Sequence, residues 1–186
     1  MLTPDQFFAF LATAILLTLT PGPDNMMVLS VGVSKGRARG IAFGLGCAFG
    51  CLSHTLLAVI GVSALIAASP LAFTTLKVCG GLSLAWLGWT AIRSRGEARL
   101  YPAHASAAPP RTLFFKGLVA NAINPKVALF FLSFLPQFIV AQRGDANLQT
   151  ALLGLTFTLQ AIVLFGLLGF FSGAIGQWLA RRPKAG

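Results

Sequence analysis

Acidic side chains are nearly absent from this chain: four Asp and Glu stand against fourteen Lys and Arg in 186 residues. Charged residues of both signs make up only 10% of the sequence, where soluble domains carry roughly 25%. With 56% hydrophobic residues and a mean hydropathy of +0.80, that scarcity excludes a soluble globular fold. The formal charge of +10 does not point to nucleic acid, because its cations sit between apolar blocks rather than on a water-soluble basic face. Cysteine is sparse, and the three at 47, 51 and 79 lie inside apolar stretches, so no disulfide framework is expected. Period-two alternation over ten-residue segments is missing, which excludes a transmembrane barrel. No Gly-rich phosphate loop and no serine with a neighbouring base occur, so neither an enzyme nor a cofactor is implied. A positively charged leader is lacking too: Met1–Gln6 carries Asp5 and no cation, so the first apolar block is expected to be a retained span.

What is present is a series of long apolar blocks. They run from about Phe7 to Val33, Ile41 to Ala67, Leu71 to Ile92, Leu113 to Val140 and Leu148 to Phe171. Since a bilayer-spanning helix takes about 20 apolar residues, the chain is expected to be an all-α, polytopic membrane protein of about five transmembrane helices. The connections after the first, third and fifth blocks are basic and the others nearly neutral. By the accumulation of Lys and Arg in cytoplasmic loops, the N-terminus is expected outside and the C-terminus in the cytoplasm. The polar, proline-bearing stretch 94–112 reads as a cytoplasmic linker between a first half, 1–93, with three spans and a second half, 113–186, with two.

Each half opens with a span broken by proline near mid-membrane: Pro21-Gly22-Pro23 in one, Asn124-Pro125-Lys126 in the other. Proline removes a backbone N–H, so carbonyls one turn earlier lose their helical donors. Such gaps are tolerated in a bilayer only where they face protein, water or a ligand, and matched broken segments in two inverted-repeat-like halves point to a transporter's binding site. Asp24 is the one acid within an apolar block, at an insertion cost of about 2.5–3.5 kcal/mol. Lys126 is an equally misplaced cation and its natural partner. Asn25, Asn121 and Asn124 add amides near both breaks. Such a cluster matches an amino-acid zwitterion: Asp24 would meet its ammonium or carry a coupling proton, and Lys126 or half-helix N-termini would meet its carboxylate. The plainer alternative is an Asp24–Lys126 ion pair that only locks the halves together.

Two further patterns carry other readings. Gly40, Gly44 and Ala48, with Gly46 and Gly50 offset from them, give the small-xxx-small spacing that lets a neighbouring helix approach closely. Cys47, Cys51 and His54 fall on one helical face, which leaves open a heavy-metal or cation exporter, or an intramembrane thiol relay.

Thr20-Pro21-Gly22-Pro23-Asp24-Asn25, Gly36, Gly40, Gly44-Leu45-Gly46, Asn124-Pro125-Lys126 with Phe130, and Leu135-Pro136-Gln137-Phe138 together resemble the LysE/RhtB-type amino-acid exporter family over essentially the whole chain. The resemblance implies a carrier in the bacterial inner membrane that expels amino acids or close derivatives, such as homoserine, threonine, lysine or leucine, driven by the proton gradient. It also implies that Pro21, Pro23, Asp24, Asn124, Pro125 and Lys126 are functional positions. Family members usually carry a sixth apolar segment after the basic turn that corresponds here to Arg181 to Lys184. The sequence therefore leaves three expectations open: a homo-oligomer partner covers the gap, the segment is dispensable, or the chain is an inactive helical scaffold.

Overall fold

The computed structural model describes residues 2–69 and 108–180 together with isolated helical positions between 71 and 93. Among the described residues every regular element is helical. Among the described residues two helices are long and apolar enough to cross a membrane, at Arg37–Gly61 and Ala146–Trp178. Two helix pairs interrupted at the proline motifs, Pro4–Leu19 with Pro23–Lys35 and Pro110–Ala122 with Pro125–Phe138, raise the number to four if each pair is one span. These correspond to four of the five expected spans. Much of the third, Leu71–Ile92, and most of the linker 94–112 fall outside the described residues, as do Cys79 and His104.

Contacts gather the chain into two units: Met1–Thr20, Cys51–Arg95 and Asn124–Gln160 form the first, and Pro21–Gly50, Gly96–Ile123 and Ala161–Gly186 the second.

In the first unit, α1 (Pro4–Leu19) starts with a reciprocal cap: Gln6 N–H donates to Thr3 Oγ1 at 3.3 Å and Thr3 N–H to Gln6 Oε1 at 3.0 Å, with Pro4 in the first turn. It stops at Leu19 because Pro21 and Pro23 cannot donate to the carbonyls of Leu17 and Leu19. Phe10, Ala14 and Thr18, four apart, form its buried stripe. Phe10 meets Phe130 and Phe138 at ring-centroid distances of 5.9 and 5.3 Å, and Phe157 closes the cluster against Phe130 and Phe131. The backbone carrying these rings is irregular: α5 (Pro125–Leu129) widens into a π turn, Phe130–Phe134, and then tightens into a 3₁₀ turn, Leu135–Phe138. Pro136 explains both, since its ring crowds the Leu132 carbonyl and its nitrogen cannot close a regular turn. Gln149 then clips the following loop, accepting from Val140 N–H at 3.1 Å and donating back to the Val140 carbonyl at 3.1 Å. Asp145 caps α6 (Ala146–Ala180) by accepting from Asn147 N–H at 2.7 Å.

The second unit is built on glycine. α2 (Pro23–Lys35) ends at Gly36, whose φ of 88° lies where a side chain is strained, and α3 (Arg37–Ala68) leaves at once. Along α3, a Cβ on Gly40 or Gly44 would lie 2.8 or 2.6 Å from the carbonyl oxygens of Gly169 and Phe165 on α6. A Cβ on Gly46 would collide with the Phe114 carbonyl of α4 (Pro110–Ala122), and one on Gly117 of α4 with the Phe43 carbonyl. The two small-residue rows expected from sequence thus serve two different neighbours, one α6 and the other α4.

Replacing Gly46 with Val should therefore force α3 and α4 apart at a cost of about 1–3 kcal/mol. Gly166→Ala, where a Cβ meets nothing within 4 Å, should be neutral or slightly stabilising. Thermal unfolding of the purified variants in detergent checks both.

Candidate functional site

The proline breaks organise one polar cluster in each unit. In the second unit, Pro21 and Pro23 are exposed and Gly22 caps α2, which places Asp24 in the first helical turn. A carboxylate there faces the unpaired N–H groups of the helix start and the positive end of its dipole. Asp24 is 3% exposed, and its Oδ2 accepts from Asn121 Nδ2 at 2.7 Å. Asn121, in the last turn of α4, is fully buried. Its seat depends on Gly50, where a Cβ would stand 2.7 Å from the Asn121 Cβ. Asn25 follows in the same first turn of α2, half-buried.

In the first unit, Asn124 caps α5, its Oδ1 accepting from the Lys126 N–H at 3.0 Å, with Pro125 exposed in the first turn. Lys126 reaches from there to the end of α1. Its Nζ donates to the carbonyl oxygens of Leu17 at 2.7 Å and Thr20 at 2.6 Å. The Leu17 carbonyl is the group that Pro21 deprives of its helical donor, and an ammonium at a helix C-terminus also meets the negative end of the dipole. Beside it, Thr18 Oγ1 accepts from Gln160 Nε2 at 2.9 Å, and Gln160 Nε2 also donates to the Phe157 carbonyl at 2.9 Å. Gln160 is 9% exposed, and its Oε1 is buried with no hydrogen-bond partner.

Within the second unit the structure thus joins Asp24 to Asn121, and within the first it joins Asn124 to Lys126. Gln160, Thr18 and the seat at Gly50 were missed. Gln160 had a signal: it is an amide in the middle of a long apolar run, where polar groups are costly and purposeful. Cys47 and Cys51 are buried thiols, and buried His54 lies against the Phe131 ring at 5.7 Å. Among the described residues no group of three His, Cys, Asp or Glu could hold a metal ion, so the exporter of heavy metals gains no support.

A family model described as LysE type translocator matches residues 15–185. A leucine efflux protein of Enterobacter sp. (strain 638) is 30% identical over 184 residues, covering 96% of this chain and 85% of that protein. A homoserine/homoserine lactone efflux protein of Salmonella typhimurium is 30% identical over 183 residues, covering 98% and 87%. A Vibrio cholerae protein named as an uncharacterized membrane protein is 35% identical over 161 residues, covering 86% and 78%. No solved structure matches the chain.

Asn121→Leu removes the amide from a buried carboxylate, and hydrogen bonds to charged groups are worth about 1.5–3 kcal/mol. A loss of that order in detergent unfolding is expected, and a variant as stable as the parent would show that the 2.7 Å contact contributes nothing.

Proposed function

The chain belongs to the LysE type translocator family, a family of translocators and not of enzymes, and from that premise we propose that it exports amino acids or close derivatives across the bacterial inner membrane in exchange for protons. The observation that carries this reading is the buried carboxylate of Asp24 in the first turn after a proline break, held by Asn121. A charge so placed in an apolar chain is costly, and a carrier of ionic cargo is the function that repays it. The efflux proteins of leucine and of homoserine among its relatives support a small amino acid as cargo.

Asp24 would take the substrate's ammonium or the coupling proton, and Lys126 or the half-helix N-termini at Pro23 and Pro125 would take its carboxylate. Asn25, Asn121 and Asn124 would supply neutral donors and acceptors, which bind without fixing a charge state. The prolines and Gly22 act through the backbone, by keeping the helix ends open where a ligand is bound.

In vesicles preloaded with radiolabelled leucine or homoserine, Asp24→Asn should lower efflux at least tenfold at unchanged membrane content, and a protonophore should stop efflux by the parent chain. Efflux undiminished by Asp24→Asn would overturn the assignment of Asp24. Reporter fusions should place the N-terminus outside and the C-terminus in the cytoplasm.

A further inference from the structure

The last turn of α1 has more acceptors than donors. Pro21 strips the Leu17 carbonyl of its helical N–H, the Thr20 carbonyl faces the Lys126 ammonium, and Gln160 Oε1, packed beside Thr18, is buried with nothing donating to it. Helix C-terminal ends with unwound carbonyls are cation sites in membrane proteins built from broken helices. Here the cation is the chain's own, carried on the flexible stem of Lys126, whose side chain is half-buried rather than sealed.

We propose that the end of α1 is a primary-ammonium site, held by Lys126 in this state, and that an α-amino acid enters by inserting its zwitterion between Lys126 and the carbonyls. The substrate's ammonium replaces Lys126 on Leu17 and Thr20, with its remaining N–H available to Gln160 Oε1. The displaced Lys126 ammonium then pairs with the substrate's carboxylate. The two carbonyls exchange one ammonium for another, and the displaced ammonium gains a carboxylate. The cargo must then carry both groups, an ammonium with free N–H bonds and a carboxylate. This extends the export reading: it gives the ammonium to the α1 end and leaves Asp24 for the proton.

The site can be tested without any transport. Lys126→Ala should lower the melting temperature of the purified full-length chain in detergent, and n-propylammonium, which restores the missing stem and ammonium, should raise it again in a saturable way. Tetramethylammonium, which has no N–H, should not, and neither salt should shift the parent chain. Absence of rescue, or equal rescue by the two cations, overturns the site. Should Lys126→Ala not fold, Gln160→Leu serves instead: it keeps Lys126 and removes the orphaned oxygen. The substitution also removes the Nε2 hydrogen bonds to Thr18 and Phe157, so some fall in melting temperature is expected; a tenfold loss of leucine affinity, measured well below that temperature, supports the site, whereas unchanged affinity would make Gln160 structural and refute the proposal. Rescue by n-propylammonium in a chain that exports no amino acid would leave the ammonium site standing and remove the export reading.

Discussion

The structure turns on one missing hydrogen. Because Pro21 has no N–H, the carbonyl of Leu17 ends α1 without its helical donor, and in a hydrocarbon medium such a group has to be answered by something. Lys126 answers it from 109 residues away and bonds the Thr20 carbonyl as well. The second proline motif supplies the reach: Asn124 caps α5 and Pro125 starts it, so Lys126 leaves the first turn of a new helix. The carbonyls left open at the end of α1 and the lysine of the second proline motif are, in the first unit, the two ends of one interaction.

The second unit solves a different problem, which is how to bury a carboxylate. Its solution is backbone proximity. Glycines at 40, 44, 46 and 117 let α3 lie almost backbone to backbone with its neighbours, and Gly50 leaves the space that Asn121 fills. Asn121 then reaches Asp24, whose own place at a helix start favours a negative charge. What looks like generic membrane packing is the scaffold that fixes a single amide within hydrogen-bonding distance of a single acid.

Much of this was legible in the chain. Hydropathy marked the blocks, proline marked the breaks, and the rarity of acids made Asp24 conspicuous. Glycine spacing foretold close helix approach, though not that Gly40 and Gly44 would meet α6 while Gly46 and Gly50 meet α4. The carbonyl partners of Lys126 were harder, because a sequence displays side chains and not the backbone groups that a broken helix end makes available. The π turn at Phe130–Phe134 was hidden for the same reason, since Pro136 announces a break without saying whether the helix stops, tightens or widens. The clips made by Gln149 and Asp145 were hidden too, because a side chain that pairs with nearby backbone leaves no trace in hydropathy. The face shared by Cys47, Cys51 and His54 shows the reverse, suggestive spacing on one helix that belongs, among the described residues, to no group able to hold a metal ion.

The length of α6 has a consequence for the surrounding lipid. Its apolar stretch, Ala146–Trp178, holds 33 residues, or about 50 Å of rod at roughly 1.5 Å per residue, against a hydrocarbon layer of about 30 Å. Leaning over by about 40°, the upper end of the usual range, still leaves a projected height near 38 Å. Either the bilayer swells locally around this rod, or its surplus greasy end is sheathed by polypeptide above the headgroups.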